Sequence, residues 1–399
     1  MQKKLLTVAV AGALSAPGLA LAQVEVYGFV NMSVGRFSYS EPTAGGGKIS
    51  KWDVASHASN YGIRGRENIG GGQTMWFQIE QNSPMERSNN IAITPASRNS
   101  AVGLQGSWGN FFIGQWTTPW ADLDALWGVG TVGGWGPITS IIGRRETTGT
   151  APNPNCANGI SPGVGVCDAI EAGGGVGHPF WRRISQSVFY QSPVMGGVQV
   201  KAAYQTNEGK SNGAAGSTPA DPNLMSVSAQ WAGMGGRVRA GAAYDRHSDF
   251  TTIGQTDTGW RVTGGWNFGV ADVGVAYETM KYKVAAGEVE AKQWGIGVAV
   301  PVGTGAIRAS YAFAKDLTGA VTAANDDAGA KTYNVGYEHR FSKRSSVGIG
   351  YAIIKNDSDA VFTWTGAPPT QTGGAVTAAN TPLPGSDPET FFINMLHRF

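Results

Sequence analysis

The sequence predicts an all-β fold, a 16-stranded antiparallel transmembrane β-barrel. Three observations carry that expectation. Residues 1–22 read as an export signal, the rest of the chain is built from short segments of alternating apolar and polar residues, and the polar side of those segments holds Arg or Lys on strand after strand. With 59 Gly among 399 residues, and 13 Trp, 12 Tyr and 15 Phe, the composition favours strands joined by turns. Disordered tails, disulfide mini-proteins and helical membrane proteins are excluded, because the chain has many aromatics, two Cys and, past the signal, no long apolar run.

The export signal comes first. Met1 to Lys4 is a basic start, Leu5 to Leu14 a short apolar core, and Ala20-Leu21-Ala22 a cleavage site of small residues. A short buried helix is the alternative. Cleavage removes Lys3 and Lys4, so the 30 basic residues fall to 28 and match the 28 acidic ones. A neutral exported chain is not expected to bind nucleic acid, which is held largely by Lys and Arg on phosphates. The expected organisation is therefore a signal peptide over 1–22 and one barrel over 23–399.

The strands follow in order. Sixteen candidates begin near Val24, Tyr61, Thr74, Arg98, Phe111, Ser185, Gly197, Met225, Gly236, Gly259, Asp272, Glu290, Gly305, Lys331, Ser346 and Glu389. The last is typical: Phe391, Ile393, Met395, His397 and Phe399 form one face, Phe392, Asn394, Leu396 and Arg398 the other. Seven tight turns, such as Gly70-Gly71-Gly72 and Gly269 to Ala271, alternate with eight longer connections, the longest from about Thr117 to Arg182. Both chain ends therefore lie on the short-turn side.

Alternation alone fits a soluble sandwich or a membrane barrel. Two observations and a requirement choose the barrel. Trp and Tyr sit near the ends of the apolar face at Trp260, Tyr204, Tyr244, Tyr277 and Tyr311, where an interface suits them. The opposite face carries Arg64, Arg66, Arg183, Lys201, Arg237, Arg239, Arg261, Arg308 and Arg340, more charge than a dry core tolerates. Hydrocarbon, for its part, forbids open edges, so the sheet must close. A barrel of 16 to 18 strands leaves an aqueous channel, so the count implies a pore.

Cys156 and Cys167 lie in a Gly/Pro/Asn-rich stretch of the longest connection. In an oxidising compartment a disulfide is expected, with a metal pair or reactive thiols as alternatives.

The matching pieces for a family run through the mature chain: Val24-Glu25-Val26-Tyr27-Gly28-Phe29-Val30, Tyr61-Gly62-Ile63-Arg64-Gly65 with Glu67 and Gly70-Gly71-Gly72, and Phe77-Gln78-Ile79-Glu80-Gln81. Val102-Gly103-Leu104, Ile113-Gly114-Gln115 with Thr118-Pro119, Ser187-Val188-Phe189-Tyr190 with Ser192-Pro193, and Phe399 complete them. In order and spacing the chain resembles the general, trimeric Gram-negative porins of β-proteobacterial type. The resemblance implies an outer-membrane homotrimer whose third loop folds into each lumen as a constriction, and a terminal Phe399 that resembles the signal read by the barrel-assembly machinery. It implies no cofactor and no enzymatic activity. Its partners would be outer-membrane lipids, ions and small hydrophilic solutes.

The chain departs from the family pattern at Asn60, Gln115 and Phe189, where a basic residue is usual. A weaker anion preference and a partly aromatic eyelet are expected. Phe112, Trp116 and Phe189 share parity with lumen positions, and the inferred third loop adds Trp120, Trp127 and Trp135, Asp122 and Asp124, then Arg144 and Arg145. The expected constriction sets Arg64, Arg66, Arg183 and Lys201 against Asp122 and Asp124 across a transverse field, with Trp116, Trp120 and Phe189 beside it. A catalytic carboxylate pair is the alternative for the two acids. The loop tryptophans either pack against the wall or stack on solutes.

Other motifs carry less. Gly128 to Gly133 fits GxGxxG without a βαβ setting and reads as flexible loop. The five histidines have no metal-ligand spacing and read as surface or interface residues. GxSxG is missing, so a lipid hydrolase would need a Ser/His pair brought together across strands. The expected function is a passive, water-filled diffusion channel. The alternatives are a channel biased to small organic or aromatic acids, an adhesin, or a lipid-hydrolysing barrel.

Overall fold

The computed structural model describes residues 23–43, 45, 47–86, 95–142, 180–206, 210, 220–250, 253–284, 287–320, 327–364, 371–372, 375–376 and 383–399. Cys156, Cys167, Arg144, Arg145 and His178 lie outside the described residues.

Along the chain run β1 Gln23–Tyr39, β2 Ile49–Ser56, β3 Asn60–Gly70, β4 Gln73–Asn82, β5 Ser100–Gly106, β6 Gly109–Thr117, β7 Arg183–Gln191, β8 Val198–Gln205 and β9 Asn223–Gly233. Then come β10 Val238–Ser248, β11 Thr256–Asn267, β12 Asp272–Val284, β13 Gly287–Val302, β14 Gly305–Ala314, the two-residue β15 Thr318–Gly319, β16 Ala330–Arg340 and β17 Ser345–Asn356. A small ladder of β18 Gln371–Thr372 with β19 Ala375–Val376 precedes β20 Pro388–Arg398.

Each wall strand pairs antiparallel with its neighbours, and β20 returns to β1 from Phe29↔Arg398 to Tyr39↔Pro388, closing the sheet. Gly28 and Phe399 exchange backbone hydrogen bonds of 3.2 and 3.1 Å at the seam. Asn394 Nδ2 reaches Asn31 Oδ1 at 2.6 Å across it.

On its other edge β1 pairs first with β3 and then with β2. Those two are one wall strand, broken at His57-Ala58-Ser59, where Ala58 has φ 53°. The ladder is mended locally: Asn31 N donates to Ser59 Oγ at 3.0 Å, and His57 N donates to Asn31 O at 2.8 Å. Counted this way, and leaving out β15 in its connection, the wall has sixteen strands among the described residues. All sixteen expected starts correspond to strands. What the sequence reading missed is β2, an extension of the second strand hidden behind that break.

The faces are inverted relative to a soluble sandwich. Val24, Val26, Trp52, Ile63, Trp260, Val262 and Phe391 are exposed on the outside, with Trp52 at 71% and Val262 at 57%. At the alternate strand positions Arg64, Asp245, Arg261, Asn334 and Asn394 point inward, and all of these but Arg64 are buried. Contiguous apolar exposure on this scale suits a hydrocarbon surround, the arrangement of an outer-membrane barrel. The buried apolar clusters lie on the inner side, two of them between the wall and the third loop.

Candidate functional site: the constriction

The third loop leaves β6 at Thr118, whose hydroxyl caps a short helix, Pro119–Asp122, by accepting from Ala121 N at 3.3 Å. Pro119 stands in the first turn, where a missing N–H costs nothing. A second short helix, Asp124–Trp127, turns the chain along the inner wall.

A row of wall side chains holds that backbone by its carbonyls. Arg261 Nη1 donates to Trp120 O at 3.2 Å, Arg239 Nε to Leu126 O at 3.1 Å, Arg308 Nη1 to Val129 O and Asn334 Nδ2 to Trp135 O. Each arginine is also neutralised: Arg261 by Asp124, Arg239 by Asp272 at 2.6 Å, Arg308 by Glu338 at 3.1 Å. Charge-assisted bonds of this kind contribute about 1.5–3 kcal/mol each. Gly130 permits the close approach, since a Cβ there would overlap Ala309 O and the Gly297 backbone. A Cβ on Gly274 would likewise overlap Trp127 O.

The other side of the loop start carries a hydrogen-bonded chain. Lys201 Nζ donates to Asp122 Oδ2 at 2.8 Å, and Thr117 Oγ1 to Asp122 Oδ1 at 3.0 Å. Thr117 N and Arg183 Nε both donate to Asn99 Oδ1, at 3.1 and 2.7 Å. Strands β6, β7 and β8, and Asn99 at the entry to β5, are thus joined to the loop through five polar side chains.

Nearer the short turns Arg64 makes a bidentate pair with Glu25 at 3.0 and 3.0 Å and lies over the Tyr27 ring, 4.7 Å from its centroid. Tyr27 Oη donates to Glu80 Oε2 at 3.1 Å, and Arg98 Nε pairs with Glu80 at 2.7 Å.

Between these groups the wall is aromatic. Phe112 and Phe189 stack at 4.8 Å and 4° between planes, with Trp76 5.4 Å and Trp116 5.2 Å from Phe112. Ile184, Leu224 and Phe250 extend the cluster.

A model of the Gram-negative porin family matches residues 6–359 of the chain. The chain belongs to the Gram-negative porin family. This porin is 25% identical over 368 residues to the outer membrane porin protein 32 of Delftia acidovorans, covering 89% of this chain and 90% of that one. It is also 25% identical over 376 residues to the major outer membrane protein P.IB of Neisseria gonorrhoeae, covering 90% and 95%. Its fold is shared with the anion-selective porin from Comamonas acidovorans, at a TM-score of 0.65 and 21% identity, covering 95% of this chain and all of that one. The trimer form of OmpT, an outer membrane protein of Vibrio cholerae, shares it too, at 0.58 and 15% identity, covering 95% and 99%. This porin is an outer-membrane, water-filled channel for the passive diffusion of ions and small hydrophilic solutes.

The structure arranges the porin's expected constriction residues differently from the sequence reading. Lys201 and Asp122 do meet, and Arg183 reaches them through Asn99 and Thr117. Asp124 is paired with Arg261 and Trp181, and Arg64 with Glu25 on the wall instead of with the loop. Arg66 is exposed on the wall. Trp120, Trp127 and Trp135 are all buried against the wall, so they pack instead of facing solute. Phe189 is buried too, while Trp116 is half-buried.

Two further expectations are corrected. The GxGxxG stretch is not free loop, since Gly130 is seated on the wall. His57 and His247 are buried on the inner side, His57 against Trp135 and His247 against Phe180, so neither is a surface residue. The sequence reading missed Trp76, Glu80, Asn99, Thr117 and Trp181 as participants. Inward parity was the available signal for Trp76 and Glu80; nothing in the sequence signals that backbone carbonyls are the arginines' partners.

Proposed function

We propose that this porin conducts with weak charge selectivity, retaining a slight preference for anions. The observation that supports it is the pairing of lumen charge: Lys201 with Asp122, Arg261 with Asp124, Arg239 with Asp272, Arg308 with Glu338, Arg98 with Glu80 and Arg64 with Glu25. Arg66 is exposed and makes no ion pair among the described residues, the nearby Glu25 and Glu80 being taken by Arg64 and Arg98. Paired charges give short-range dipoles that water and salt screen within about 8–10 Å, so they bias passage weakly. Reversal potentials in a KCl gradient across planar bilayers test this. The expected chloride-to-potassium permeability ratio lies within roughly a factor of three of unity, on the anion side. Near-ideal selectivity of either sign would refute it.

The native assembly we infer is a homotrimer, delivered by the signal over residues 1–22 and inserted through recognition of Phe399. A trimer form of the Vibrio cholerae neighbour supports the first part. Conductance rising in groups of three equal steps tests it.

Hydrolysis is not part of the proposal. Two serine–histidine contacts stand among the described residues: Ser345 Oγ lies 2.9 Å from His397 Nδ1 at the exposed barrel end, and Ser33 Oγ 2.7 Å from His57 Nε2 inside. Ser33 and His57 are buried, Trp135 Nε1 donates to the Ser33 hydroxyl at 3.2 Å, and His57 Nδ1 has no hydrogen-bond partner among the described residues. A serine whose neighbouring imidazole is oriented by no third group, and which lies beneath a tryptophan, is a packing contact.

A further inference from the structure

The inner wall holds an apolar patch that the constriction leaves unused. Trp76, Phe112, Trp116 and Phe189 project from β4, β6 and β7 into a lumen that must otherwise be polar to stay wet. Phe112 and Phe189 are buried at 1% and 3%, and form the floor. Trp76 and Trp116 are only half-buried, 6.0 Å apart at 73°, and form its open surface. Trp76 is fixed in place, its Nε1 donating to Asn110 Oδ1 at 2.8 Å and its ring lying where a Cβ on Gly103 would be.

The register supplies a charge beside it. Arg66 is the direct cross-strand partner of Trp76. Directly opposed residues share a face with Cβ atoms about 4.5–5.5 Å apart. Arg66 is exposed and, unlike Arg64 and Arg98, makes no ion pair among the described residues.

We propose that Trp76, Trp116 and Arg66 form a subsite for planar aromatic carboxylates on the short-turn side of the constriction. A ring seated in the angle between the two indoles stacks on one and meets the other nearly perpendicular, both favoured geometries. The carboxylate is then within reach of a planar guanidinium whose same-face neighbour on the adjoining strand, Glu25, is already held in a bidentate pair by Arg64. An aliphatic acid of equal size gains the charge contact without the stacking. Such a subsite slows and concentrates its ligand in the pore without any chemical step.

The proposal rests on the channel reading, and the test separates the two. Single-channel KCl current is recorded with benzoate or cyclohexanecarboxylate added on the short-turn side. Benzoate is expected to block at concentrations about five- to tenfold lower than cyclohexanecarboxylate. Trp116→Leu should abolish that difference, and Arg66→Gln should raise the blocking concentration of both acids. Retained KCl conductance shows that each variant is folded, and Arg66, being exposed, gives a second variant independent of packing. Equal block by the two acids, or an unchanged response in Arg66→Gln, would overturn the subsite alone. No conductance in the wild type would overturn the channel reading beneath it.

Discussion

The indole N–H of Trp181 donates to Asp124 Oδ2 at 2.6 Å, tying the returning end of the third loop to the helix on its outgoing arm. The same carboxylate pairs with Arg261, which is fully buried, and accepts from Trp127 Nε1 at 3.3 Å. One acid therefore fastens two arms of the loop to the wall.

Asp124→Ala removes all three bonds and leaves Arg261 with Glu278, 3.7 Å away, as its remaining carboxylate. Breaking one partner of a buried pair costs about 3–5 kcal/mol. Thermal unfolding in detergent is expected to fall by several degrees, and single-channel current to become noisier as the loop loosens. A quiet channel of wild-type stability would show that the clasp carries no load.

Gly130 touches the wall so closely that a side chain has no room. Gly130→Val is expected to lift the loop off Ala309 and Gly297 into the lumen, lowering conductance. Gly71→Ala, in an open turn where a Cβ meets nothing, serves as comparison and should leave conductance unchanged despite the strain of φ 61°.

Charge at the loop start is balanced by one pair, Lys201 with Asp122. Lys201→Gln should move the reversal potential toward cations and Asp122→Asn toward anions. The double variant should return close to wild type, because the charges it removes cancel. Shifts of the same sign in both single variants would contradict the pairing.

Outward exposure makes a prediction about lipid. Val262 lies mid-strand on the outer face. Val262→Arg should reduce folding stability in phospholipid vesicles by about 2–4 kcal/mol, measured by urea titration.

On the long-loop side Asp316, Asp327 and Asp357 crowd together outside the barrel. Burial, then the charges of Asp327 and Asp316, push the Asp357 carboxyl above its ordinary 3.8, whereas hydrogen bonds from Ser358 hold Asp327 below it. A carboxyl raised by folding destabilises when ionised, so its penalty is present at neutral pH and lifts as pH falls through the raised value. Asp327 acts oppositely, losing its stabilisation only below the ordinary value. Asp357→Asn should therefore slow amide exchange in these loops at neutral pH and match wild type near pH 4, roughly the ordinary carboxylate value.

The barrel was legible because its rule is local: parity at period two survives in every strand, and Gly-rich turns mark the ends. β2 escaped because Ala58 takes a left-handed backbone, which resets the alternation between Val54 and Tyr61. The constriction was half legible. Residue type named Arg261, Asp124 and Lys201, but parity says which face a charge occupies and never which neighbour it meets. That choice is made by register, which pairs Arg66 with Trp76, and by a loop path set through glycine contacts and carbonyl acceptors.

The seam between β1 and β20 joins Asn31 to Asn394, 363 positions apart. Every other wall pairing forms between neighbours in the chain, so the cylinder can be assembled hairpin by hairpin, but it cannot be sealed until the final strand is delivered. Until then two raw edges face outward, ready to bond to any other extended chain. Raw edges of this kind are where extended chains aggregate, so the open sheet is the most vulnerable stage in the life of this molecule.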